Sequence, residues 1–190
     1  MSQATHPETD SGAQSVLRFW FEELSSRDWF RKSDELDTTT LERFGDLHGA
    51  AAQSECWRWR TTPEGRLAEI IVLDQFSRNI YRDRPEAFAW DTMALVLAQE
   101  AVARDEDKQL PDPMQRAFLY MPYMHSESAT IHEVAMTLFD QPGLEHNLDF
   151  EKKHKVIIDR FGRYPHRNTL LGRESTAEEI EFLQQPGSSF

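Results

Sequence analysis

The stretch Thr62-Pro-Glu-Gly-Arg-Leu-Ala-Glu-Ile-Ile-Val-Leu-Asp-Gln-Phe-Ser-Arg-Asn-Ile-Tyr-Arg82 decides the fold class. Its apolar run Ile70–Leu73 is the one place where a strand competes with a helix. Leu67-Ala68-Glu69 carries the helical pattern into that run, and Leu67, Ile70, Ile71, Asp74 and Arg78 keep a spacing of three and four. Thr62-Pro63-Glu64 is a start signal: a hydroxyl to cap free amides, a proline in the first turn, and an acid near the positive helix end. The spacing predicts one helix from here to Ile80.

The same periodicity recurs on both sides. Val16, Leu17, Trp20, Phe21 and Leu24 step at helical spacing, and Asp34 is placed to cap a helix holding Leu41, Phe44, Leu47 and Ala51. Further helices are predicted over Phe88–Arg104, from Pro113 through Met121 to a bend or end at Pro122, over Glu127–Phe139, and over Leu144–Phe161 with Gly162 as C-cap. Ser175-Thr-Ala-Glu178 reads as a capping box before a short helix with Ile180, Phe182 and Leu183. That makes about eight helices and an all-α fold. Residues 1–14 and 186–190 are expected to be tails around a single domain over 15–185. No repeat stands out at the period of about 34 residues of tetratricopeptide units, so a hairpin stack with degenerate repeats stays open.

Composition narrows the functions available. The chain has 190 residues, 39% hydrophobic and 11% aromatic, which suits one globular domain. A net charge of −12 argues against general nucleic-acid binding and against an anionic membrane surface. The N-terminal residues lack the basic start and apolar core of a secretory signal, and no apolar run nears the ~20 residues that span a bilayer. With a single cysteine, Cys56, no internal disulfide can form, so a cytoplasmic location is expected.

Two segments carry groups able to do chemistry. The first is the helix above, which puts Asp74 and Arg78 on the same stripe as apolar side chains. A buried carboxylate must be paired or protonated, and at a spacing of four the two can pair. That pair either fixes helix orientation or belongs to a site, and Arg82 extends the polar set. The second is Tyr120-Met-Pro-Tyr-Met-His-Ser-Glu127. Here His125 could act as acid or base near neutral pH, while Ser126 suits a helix cap with Glu127 in the first turn. No Gly-x-Ser-x-Gly elbow, phosphate loop, His-Glu-x-x-His pattern or cysteine pair occurs, so no metal or cofactor is expected.

A third segment, Arg160-Phe-Gly-Arg-Tyr-Pro-His-Arg-Asn168, is the densest in donors. It gathers Arg160, Arg163, His166, Arg167 and Asn168 around a glycine and a proline, just after a helix. Guanidinium forks fit phosphate or carboxylate, so an anion pocket is one reading. The other is a structural knot in which these arginines pair with acids such as Asp74 and Asp91 and with helix-end carbonyls.

The blocks Leu73–Arg82, Phe88-Ala-Trp-Asp91, Phe118–Glu127 and Arg160–Asn168, followed by Leu171-Gly-Arg-Glu-Ser-Thr176, resemble the bacterial family called domain of unknown function 924. The resemblance runs from about Val16 to Leu183. It implies a single α-α superhelical, tetratricopeptide-like domain and no established activity. It carries over onto Asp74, Gln75, Arg78, Asn79, Arg82, Asp91, His125, Ser126, Glu127, His154, Arg160, Arg163, His166, Arg167, Asn168 and Arg173. The chain departs at Ser77, where the family pattern often has proline, and at Lys155, where arginine is usual.

The first functional expectation is a binding module for a small anionic molecule or an acidic peptide end. In it Arg78, Arg160, Arg163 and Arg167 grip the anion, His125 and His166 tune affinity with pH, and Asp74 orients an arginine. Arg82, Asp91, Glu127, His154 and Asn168 complete the ligand-binding set. The alternatives are a hydrolase or transferase with His125, His166 or Asp74 in catalysis, and a protein-interaction scaffold with a purely structural knot.

Overall fold

The computed structural model describes residues 7–189, with side-chain surroundings from Ser11 onward. The first six residues and Phe190 of the expected tails lie outside the described residues. Among the described residues all regular structure is helical: α1 Pro7–Arg18, α2 Ser26–Trp29, α3 Asp34–Ala52, α4 Pro63–Ile71, α5 Ser77–Ile80, α6 Asp91–Ala103, α7 Pro113–Met124, α8 Ala129–Phe139, α9 Glu145–Phe161 and α10 Ala177–Phe182. Short 3-10 turns join several of them. The single-turn pieces α2 and α5 account for the excess over the eight helices predicted. No helix among them is long and apolar enough to cross a membrane.

The α4 helix is the axis of the fold. Thr62 Oγ1 accepts the Gly65 amide at 3.1 Å, as the start signal requires, and every residue from Gly65 to Ile71 is buried. Around it pack α1, α6, α7 and the 3-10 turn Trp57–Thr61, while α7, α8 and α9 pack in succession. The rod does not run as one plain α-helix to Ile80. Val72–Phe76 form a π turn between α4 and α5. A π turn inserts one residue and changes where the following side chains point. It also frees carbonyls, and here side chains take them: Ser77 Oγ donates to Leu73 O at 2.6 Å and Arg78 Nη1 to Asp74 O at 2.8 Å.

Aromatic packing closes the main core. Trp20 meets Phe118 edge-on at 5.4 Å, and Phe44 lies 4.9 Å from Phe76. A separate small core of Ile157, Ile158 and Tyr164, with Phe161 and Phe182, lies under the arginine-rich turn.

Several boundaries differ from the sequence reading. The α1 helix begins at Pro7, inside the stretch read as a tail, and buries Ala13 against the core. Near the other end Ser188 is buried and bonds to Leu183 O. The cap of α3 is Ser33, one residue before Asp34. Pro122 does not end α7 where it stands, and the helix runs on to Met124. Ser126 does not cap α8; Ser128 holds that position and the helix opens at Ala129. The last capping box is Thr176 with Glu179, one residue along from the predicted pair. Gly162 takes the predicted left-handed C-cap at φ +68°.

Candidate functional site

Asp74 lies in the π turn, wholly buried, and three donors converge on its carboxylate. His125 Nδ1 is 2.7 Å from Oδ1, Arg78 Nη1 is 3.1 Å from the same oxygen, and Gln75 Nε2 donates to Oδ2 at 2.5 Å. Burial pushes the Asp74 pKa up, but Arg78 and His125 outweigh it and hold the carboxyl well below the usual carboxylate range. An ionised carboxylate only accepts, so His125 Nδ1 carries the proton. Burial, with Arg78 alongside, depresses the His125 pKa against the opposing pull of Asp74. At neutral pH the ring is therefore neutral, with its lone pair on Nε2. No group among the described residues hydrogen-bonds Nε2, and the His125 side chain is 15% exposed.

Arg78 links this pair to the start of α6. Its Nη1 and Nη2 fork onto Asp91 Oδ1 and Oδ2 at 2.9 and 3.0 Å. Arg167, from the 3-10 turn Pro165–Arg167, shares Asp91 through Nη1 at 3.2 Å. That is the one hydrogen bond of its side chain among the described residues, although Arg167 is only 6% exposed, and its Nε is buried without a partner. The rings of Phe88 and Tyr164 each lie 4.6 Å from the Arg167 guanidinium. Burial lowers the Arg167 pKa despite Asp91, and Arg78 adds to the lowering.

Tyr164 is the hub of the cluster. Besides Arg167, the His154 ring lies 5.8 Å from it and the His166 ring 5.6 Å. Burial pushes His154 down to about 3 and His166 down to about 4. Tyr164 Oη donates to Met124 O at 2.5 Å. Beneath it lies a second acid–imidazole pair, in which His132 Nε2 donates to Ser126 O at 2.8 Å and Nδ1 is 2.6 Å from Glu151 Oε1. A carbonyl only accepts, so one proton must sit between His132 Nδ1 and Glu151. Burial raises the Glu151 pKa, against the opposing pull of His132.

The remaining predicted residues are not brought to this point. Arg160 is paired with Glu178 at 2.7 Å on the exposed surface. Arg163 forks onto Glu179 at 2.7 and 2.8 Å and reaches Glu174 O. Glu127 accepts the Tyr164 amide and two bonds from Arg173, while Arg173 Nε donates to Asn168 Oδ1. These contacts tie the turn to α10 and to the start of α8. Arg82 and Asn79 both bond Asp37 of α3, away from Asp74. The arginine-rich turn thus divides: Arg160, Arg163, Asn168 and Arg173 are held by acids and side chains of their own neighbourhood, while His166 and Arg167 join Asp74, Arg78, Asp91, His125 and His154.

Sequence reasoning missed Tyr164, Phe88, His132 and Glu151. Tyr164 and Phe88 stand inside the blocks quoted above, and for Tyr164 its place beside Arg163 was the available signal. His132 and Glu151 are 19 positions apart on different helices, and nothing local marks them. Two surface hollows, of about 580 Å³ beside Arg18 and Gln115 and of about 230 Å³ beside Leu24 and Arg31, include no member of the cluster. Neither gathers a buried titratable pair, so the chemistry stays with the cluster.

A comparison with curated proteins finds no match. Among solved structures, a protein of unknown function from Agrobacterium tumefaciens is similar at 35% identity over 93% of this chain and 98% of that chain, with a TM-score of 0.88. Residues 16–187 match the family described as "Bacterial protein of unknown function (DUF924)". On that match, and on a fold shared with its relative almost end to end, the chain belongs to the DUF924 family.

Proposed function

We propose that the cluster around Tyr164 binds a small ligand through a phosphate or carboxylate group, in a cytoplasmic protein. The observation that carries this is Arg167, a residue 6% exposed whose side chain makes one hydrogen bond among the described residues, at 3.2 Å, and whose Nε is buried without a partner. Arginine has five donors, and a buried cation with most of them unused is costly unless something arrives to complete it. Asp91 meets only one of these donors, because Arg78 already forks onto both of its oxygens. Arg160 and Arg163 are satisfied by Glu178 and Glu179 and drop out of the grip.

The test is ligand-induced thermal stabilisation by inorganic phosphate. Arg167→Ala should abolish the shift. Arg163→Ala should lower the melting temperature but keep the shift, because its partner is Glu179. A wild-type shift in Arg167→Ala defeats the reading. A second reading, catalysis, draws on the Asp74–His125 pair, whose geometry suits a general base. Hydrolysis of generic phosphoester and ester substrates, lost in His125→Ala, would favour it; unchanged turnover in that variant would exclude it.

A further inference from the structure

We propose that the site selects anions carrying a hydroxyl-type proton, as phosphate and hydroxy acids do, over fully ionised anions such as sulfate, with His125 Nε2 as the selecting acceptor. The inference rests on the anion-site reading and goes on to the ligand's protonation state.

Asp74 is held ionised by Arg78, Gln75 and His125, so it fixes the proton on Nδ1. Nε2 is left as an acceptor with no hydrogen bond among the described residues, on a side chain that is 15% exposed. Arg78 and Asp91 connect this ring to Arg167 through an unbroken series of contacts at 2.7 to 3.2 Å. His154 feels both His125 and Arg167, and a ligand that reaches both would meet donors at one end and a lone pair at the other. Sulfate has no proton to offer that lone pair, and two acceptors forced together lose a hydrogen bond and gain repulsion. Phosphate keeps at least one O–H across the neutral pH range and satisfies both ends.

The charged groups that act on His125 are Asp74 and Arg78 from the rod and Asp91 from the start of α6, and the neighbouring titratable group is His154 from α9. Asp74 and Asp91 favour its protonation and Arg78 opposes it, along with burial, while His154, pushed down to about 3, stays neutral beside it. When pH falls far enough to protonate His125, Nε2 becomes a donor, and the preference should weaken or reverse.

The experiment is titration calorimetry of the full chain with inorganic phosphate and with sulfate at pH 7.5 and at stepped lower pH. Phosphate should bind about tenfold or more tightly than sulfate at pH 7.5. The ratio should shrink as pH falls through the His125 titration followed by ¹⁵N NMR. In His125→Ala the two anions should bind alike, and in Arg167→Ala neither should bind. If neither anion binds the wild-type protein, the anion site itself is lost. If both bind equally and depend on Arg167, the site stands and the selection by His125 is overturned. Should His125→Ala fail to fold, the ¹⁵N spectrum of the wild type decides: a protonated Nε2 at pH 7.5 would defeat the proposal.

Discussion

Asp74 and His125, 51 positions apart, meet at 2.7 Å through Oδ1 and Nδ1. One belongs to a π turn inside the central rod, and the other ends α7 as its C-cap. Their contact fixes the imidazole tautomer and ties two of the most buried elements of the fold together. Arg78 meets the same Asp74 oxygen at 3.1 Å and forks onto Asp91, so one carboxylate organises a ring, a guanidinium and, through Asp91, the Arg167 turn.

Asp74→Asn keeps the shape and removes the charge. Breaking a buried ion pair by neutralising one partner typically costs about 3–5 kcal/mol, because the other charge stays behind. Arg78 retains both oxygens of Asp91, so the loss should fall near the lower end, about 3 kcal/mol. Urea denaturation at pH 7 checks this. A loss under about 1 kcal/mol would mean that the pair contributes little.

His48 gives the fold a pH dependence of known sign. Burial pushes it down to about 4 from an ordinary 6.5. Its Nε2 donates to Ser77 Oγ at 2.8 Å, and its ring stands against Trp90 and Tyr81. The unfolded chain binds this proton more tightly than the native state. The contribution is therefore complete above pH 6.5 and lost as pH falls from 6.5 towards 4. The slope should be up to about 1.4 kcal/mol per pH unit for one histidine. His154, pushed lower still to about 3, adds to it in the same direction. In His48→Phe the fall in stability between pH 6.5 and pH 4 should be shallower than in the wild type.

Gly65→Ala sets two effects against each other. In a helix alanine is better than glycine by about 1 kcal/mol. Yet a Cβ at Gly65 would come within 2.1 Å of Trp59 O, a backbone atom with nowhere flexible to go. Overpacking costs typically about 1–3 kcal/mol, and a backbone clash belongs at the top of that range. The variant should be destabilised by about 2 kcal/mol net. Chemical denaturation that showed a gain would mean that α4 can lean away from the Trp57–Thr61 turn.

How much of this could be read in the chain follows from where its information is local. Thr62 and Gly162 announce their ends because capping involves residues within one turn. The π turn left no such mark. Every residue from Gly65 to Ser77 is buried, so there is no amphipathic stripe whose phase would jump at an inserted residue. Ser77, where the related pattern often has proline, carries the one trace of it, since its hydroxyl takes the Leu73 carbonyl. In the same way Arg163 and Arg167 look alike in sequence. Only the position of Glu179 makes one of them a strut, and only the sharing of Asp91 leaves the other short of partners.

Tyr164→Phe separates the two jobs of the hub. The hydroxyl donates to Met124 O, and removing it leaves a buried carbonyl unpaired, at about 1–2 kcal/mol. His132 keeps Ser126 O as its acceptor, so the second acid–imidazole pair survives. The ring face under Arg167 is retained, and a phenyl ring holds a guanidinium nearly as well as a phenol. The variant should therefore melt earlier than the wild type yet show the same phosphate-induced shift. Replacement by leucine, which removes the π face as well, should lose part of that shift. Equal shifts in both variants would mean that Arg167 is held by Asp91 and Phe88 without help from Tyr164.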